Sequence, residues 1–106
     1  MTGTIVVSST QSADVRTIDF SRIVEEIRNR IEDSDVVAKL LDAVDGGGIN
    51  LILADGLNAS ELAAFERVLD AFGSNLSARD QGLAGFIRNV CGQIKADPRL
   101  DSAVPE

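Results

Sequence analysis

Three consecutive glycines, Gly46, Gly47 and Gly48, stand directly before the apolar run Ile49–Ala54. A glycine-rich loop in that position can cradle a phosphate with its backbone N–H groups. The pattern of a phosphate-binding loop should continue through four residues into Gly, Lys and Ser or Thr. Here it leads into Ile49 and Asn50, and the next lysine is Lys95. The acidic residues suggest metal chemistry instead: Asp33 and Asp35 have the first two spacings of a calcium loop, but Val37 occupies the third ligand position and the required glycine is missing. Cys91 is the single cysteine and the chain has no histidine, so the usual general base, proton relay and commonest metal ligand are absent. No GxSxG or SxxK pattern activates a serine. These residues predict neither an enzyme nor a metal or cofactor site.

The charge distribution points to protein binding. The 106 residues carry a formal charge of −7, which opposes nucleic-acid binding because such affinity comes from cationic side chains neutralising phosphates. Between residues 32 and 55 the acids Glu32, Asp33, Asp35, Asp42, Asp45 and Asp55 are opposed only by Lys39. This concentration could steer a basic protein partner. It could equally be a solvated face with acids at helix N-termini, where the helix dipole favours them.

The elements that must position these residues are mostly helical. A hydrophobic share of 44% with four Phe and no Trp or Tyr implies a core of Ile, Leu, Val and Ala. Phe20, Ile23, Val24, Ile27 and Ile31 recur at helical spacing and predict a helix from about residue 20 to 32, capped by Asp19 or Ser21. A second helix is expected over residues 35–44, capped by Asp33 or Ser34 and stopped by Gly46 in the left-handed conformation. Asn58 and Glu61 have the spacing of a capping box, and Leu57 and Leu62 that of a hydrophobic staple, so a third helix should run from Asn58 to Phe72 and end at Gly73. A fourth should run from Ser77 to Ala96, before Pro98. In it Gly82, Gly85 and Gly92 lie near one another beside a core stripe, and each costs about 1 kcal/mol relative to Ala. Either this helix is weak, or another backbone approaches the glycines closely, as in a self-associating module.

The expected fold is therefore mainly α, a compact bundle of about four helices in one domain over residues 1–106. Residues 4–9 and 49–54 read as strands that could add a small two-stranded β element, with residues 1–14 an arm or an edge strand and 101–106 a frayed tail. The N-terminal stretch lacks the basic start and apolar core of a signal peptide, and no run approaches the roughly 20 apolar residues that span a bilayer. With one unpaired cysteine, these features predict a cytoplasmic protein without membrane or nucleic-acid partners, for which a homo-oligomer is one option.

Two resemblances follow from particular segments. ADGLNASELAAFERVLDAF (54–72) is similar to the attachment region of acyl carrier proteins, with Asp55, Leu57, Glu61 and Leu62 matching. Gly56 stands where the serine that bears the prosthetic group should be, so the likeness implies a capped helix and no arm. In size, acidity and the segment KADPRL (95–100), the chain also resembles the small acidic immunity proteins that bacteria keep against polymorphic or contact-dependent toxins. That resemblance implies a cytoplasmic stoichiometric inhibitor, without catalysis, that covers a cationic toxin domain.

Overall fold

The computed structural model describes residues 2–8 and 11–97. The expected tail 101–106, the block at Pro98 and the segment Pro98–Leu100 lie outside them. Among the described residues five α-helices pack on a small sheet: β1 (Thr2–Val6), β2 (Ser12–Arg16), α1 (Thr17–Arg30), α2 (Ser34–Leu40), α3 (Asp42–Gly47), β3 (Leu51–Leu53), α4 (Ala59–Ser74) and α5 (Gln81–Lys95). A 3-10 turn, Ala78–Asp80, leads into α5.

The mainly α class is as expected, and so is the pairing of the two apolar segments. β3 lies parallel to β1, with Thr4 opposite Leu51, Ile5 opposite Ile52 and Val6 opposite Leu53. The sheet nevertheless has a further strand. β2 pairs antiparallel with β1 from Thr2–Arg16 to Val6–Ser12, which gives the order β2-β1-β3. The strand SADVR is polar because it is an edge, and only Val15 is buried. Of the two alternatives for the N-terminal residues, an arm or an edge strand, residues 12–14 belong to an edge strand, which continues to Arg16.

β2 runs straight into α1, which shifts the start of that helix to Thr17 and corrects both expected caps. Arg16 is the N-cap residue and makes no side-chain cap bond. Asp19 lies in the first turn, buried, with its carboxylate 3.0 Å from the Arg16 guanidinium. Ser21 donates to the Thr17 carbonyl at 3.1 Å. The helix ends at Arg30.

The single helix expected over 35–44 is broken at Leu41, whose backbone leaves helical geometry at φ −106° and ψ 15°. Leu40 and Leu41 are both completely buried, although neighbours on a straight helix point about 100° apart; the break accompanies the burial of both. Asp33 is the cap of α2, its Oδ1 accepting from the Asp35 N–H at 2.9 Å. The glycine triplet does stop a helix, but Gly46 and Gly47 belong to the last turn of α3, and Gly48 is the residue in the left-handed region, at φ 63°. Its N–H reaches the Val44 carbonyl at 3.1 Å.

α4 starts as expected. The Glu61 N–H donates to Asn58 Oδ1 at 2.8 Å, and the Asn58 N–H to Glu61 Oε1 at 3.0 Å. Leu57 and Leu62 are both buried. Its end differs: Gly73 is inside the helix, and a Cβ built there would lie 3.1 Å from Ile87 Cγ2. The close approach between helices therefore occurs at Gly73, where α4 meets α5. Gly82, Gly85 and Gly92 face solvent, with nothing within 4 Å of a built Cβ. Gly85→Ala should consequently raise stability by roughly 0.5–1 kcal/mol, since it adds helix propensity without a clash. Urea unfolding checks this, and an unchanged or lowered midpoint would show that Gly85 is constrained by a contact outside the chain.

The core lies between the sheet and the helices. Ile5, Ile23, Ile27, Ile52, Leu62, Phe65, Val90 and Ile94 are among its fully buried members. Arg22 ties α1 to the turn before α5: its Nη1 is 3.0 Å from Asp80 Oδ1 and 3.8 Å from Asp19 Oδ1, and its guanidinium lies over the Phe72 ring at 5.7 Å.

Candidate partner-binding surface

The six acids from Glu32 to Asp55 are all exposed, but the fold divides them among four settings. Glu32 and Asp33 occupy the loop between α1 and α2 and line a groove of about 460 Å³ together with Arg30 and Arg67. Asp42 and Asp55 share a shallower depression of about 410 Å³ with Lys39, Ala38 and Leu53. Asp45 accepts hydrogen bonds from the two terminal guanidinium nitrogens of Arg28, Nη1 and Nη2. Asp35 lies in the first turn of α2. The sequence placed these residues in one run; helix geometry and intervening packing determine which of them share a depression.

Local pairs offset part of this acidity. The hydrogen bond from Arg28 holds the Asp45 carboxyl below the ordinary carboxylate range. Glu61 is lowered by the Asn58 N–H first and by Lys39 second, the lysine Nζ lying 2.9 Å from both carboxylate oxygens. Asp80 is lowered by Arg22. A carboxyl whose pKa falls on folding stabilises the native state above its unfolded value, near 4. That stability is lost as pH drops through the folded value. The urea midpoint is therefore expected to hold from pH 7 to about pH 5 and to fall below about pH 4, with a smaller fall in 1 M salt, because these pairs lie at the surface, each open to solvent on at least its cationic side, and are screened. A midpoint unchanged down to pH 3 would show that the pairs contribute nothing.

No catalytic arrangement forms around Cys91. Its thiol is buried against α4, and burial first, then the charges of Glu66 and Asp70, push its pKa up to about 11. A thiol so raised is protonated at neutral pH and is a poor nucleophile. Among the described residues no group of three or more His, Cys, Asp or Glu side chains could hold a metal ion, and no helix is long and apolar enough to cross a membrane. Gly56, at the position matching the carrier-protein serine, is exposed with open space around it.

The surface also lacks exposed aromatic anchors: Phe20, Phe65 and Phe72 are buried and Phe86 is half-buried. Among the described residues the large apolar side chains left open are Ile18, 68% exposed, and Ile49, 54% exposed. Ile49 falls inside the acidic segment, directly after Gly48. Sequence reasoning assigned it to a strand and so missed it as a surface residue; the strand begins only at Leu51, and the place of Ile49 directly beside the Gly triplet was the available signal.

No protein-family model matches the chain, and no curated protein sequence matches it. Among solved structures, the complex of the CdiA-CT toxin from Burkholderia pseudomallei E479 with its cognate CdiI immunity protein contains a similar chain, the immunity protein. The two share 22% identity, and the match covers 92% of this chain and 98% of that one with a TM-score of 0.81. In fold, over nearly its whole length, this chain is similar to the CdiI immunity protein.

Proposed function

We propose that this protein is a non-catalytic, immunity-type inhibitor that acts in the cytoplasm by binding a basic toxin domain through its acidic surface. The observation that supports the reading most is the fold similarity to a CdiI immunity protein across 92% of the chain. The chemistry of the chain agrees with it. There is no histidine, the one thiol is held protonated, and the acids Glu32, Asp33, Asp35, Asp42, Asp45 and Asp55 are exposed. A surface of this kind raises encounter rates with a cationic partner and gives specificity by charge pairing.

The test is a tagged pulldown from the native cell's lysate at low salt and near 1 M salt, with captured proteins identified by mass spectrometry. Each captured domain is then expressed in bacteria with and without this protein. A basic domain that is released by salt, arrests growth alone and is neutralised by co-expression is the expected result. Capture of the chain itself alone, unchanged by salt, would replace this reading with self-association through the open face of Gly82, Gly85 and Gly92.

A further inference from the structure

The helix α4 has two apolar stripes. Leu62, Phe65, Leu69 and Phe72 point into the core. Ala64, Val68 and Ala71, spaced four and three residues apart, lie on another side and form one wall of the 460 Å³ groove. The opposite wall is built by Ile31 at the end of α1 and Val36 of α2. Small side chains on α4 leave the groove open, so its apolar floor is only half covered.

Both signs of charge line the groove. Arg30, Glu32 and Asp33 stand on the α1–α2 side and Glu61 and Arg67 on the α4 side, with Arg30 held by Glu26 and Glu61 by Lys39. Arg28, Arg30 and Lys39 are engaged in ion pairs within the chain, whereas neither Glu32 nor Arg67 has an ion-pair partner among the described residues. An apolar trough with an unpaired anion on one bank and an unpaired cation on the other is complementary to a segment with the reverse arrangement.

We infer that this groove receives a segment of the toxin domain, one that inserts an apolar side chain over Ala64, Val68 and Ala71, sets a basic residue against Glu32 and Asp33, and sets an acidic residue against Arg67. The inference rests on the functional reading above and gives that surface a centre. It also supplies an apolar anchor to a surface without exposed aromatics, because burial of the inserted side chain excludes water from the flanking charge pairs.

The test measures affinity for the purified toxin domain identified by the pulldown. Arg67→Glu and Glu32→Lys change exposed, unpaired side chains, so the fold is retained; each should weaken binding by about tenfold or more. Ala64→Trp fills the trough and should weaken it by about a hundredfold, with thermal melting as the check on folding. Arg88→Glu, an exposed charge on α5 outside the groove, should leave affinity unchanged. Binding by Arg67→Glu and Glu32→Lys within about threefold of wild type would overturn the groove assignment while leaving the inhibitor reading intact. Failure of the wild-type protein to neutralise any toxin domain would overturn both. If Ala64→Trp instead converts a dimer of this chain to a monomer in sedimentation, the occupant is a second copy and the assignment to toxin falls.

Discussion

Gly3→Ala should destabilise the protein by roughly 3 kcal/mol, seen as a lower urea midpoint with an unchanged slope. Gly3 sits in the central strand opposite Val15. A Cβ built on it would lie 2.2 Å from Phe20 Cδ1, 2.3 Å from Cγ and 2.7 Å from Cβ. The first two contacts could be relieved by moving the ring, but Phe20 Cβ is fixed to α1, so the strand and helix themselves would have to separate. Phe20 is only 2% exposed and has no empty space to enter. A double-mutant cycle separates this clash from any general effect on the strand. Phe20→Ala removes the obstructing ring, so its cost and that of Gly3→Ala should add to less than their sum, by about 1–2 kcal/mol. A Gly3→Ala protein that unfolds within about 0.5 kcal/mol of wild type would show that β1 and α1 are not held at this distance.

Phe65→Ala should cost about 3–5 kcal/mol, the largest loss expected from a single core truncation here. Phe65 is completely buried on the core stripe of α4, beside the fully buried Leu62 and Leu69. Removing the ring forfeits its transfer free energy and leaves a cavity that neighbours on several elements cannot fill together. Against a total of about 5–15 kcal/mol for a domain of this size, that is a substantial fraction. The control is Ala64, one residue earlier on the same helix but facing the groove: Ala64→Ser should shift the midpoint by less than about 0.5 kcal/mol. Equal losses at the two positions would mean that the two faces of α4 are not distinguished as described. The comparison also bears on function, since the groove assignment requires one stripe of α4 to be structural and the other to be open.

The start of α4 was readable from sequence alone because its determinants are local. Asn58 and Glu61 exchange hydrogen bonds across a single turn, and Leu57 and Leu62 close over the same turn. The apolar periodicity of α1 and α5, the helix stop at the glycine triplet and the strand character of the two short apolar segments followed from the same short-range patterns. The absence of histidine was legible as well, being a matter of composition.

Other features depended on partners distant in sequence. β2 is a strand because Gly3 and Ile5 lie across from Val15 and Ala13, not because SADVR has a strand's composition. Gly3 is required because Phe20, seventeen residues on, packs against it. Spacing along the chain could not show that Asp45 would be engaged by Arg28, or that Asp42 and Asp55 would meet beside Lys39. Nor could it show that Glu32 would face a groove whose other bank is Arg67. Where the helices lie, the caps at Asp33 and Asn58 and the acidic balance of the chain were legible in the sequence, since these arise from contacts within a turn or from composition. The sheet register, the close-packed glycines and the arrangement of charge on the surface were decided only by tertiary structure, because each is a contact between residues that the chain brings together after folding.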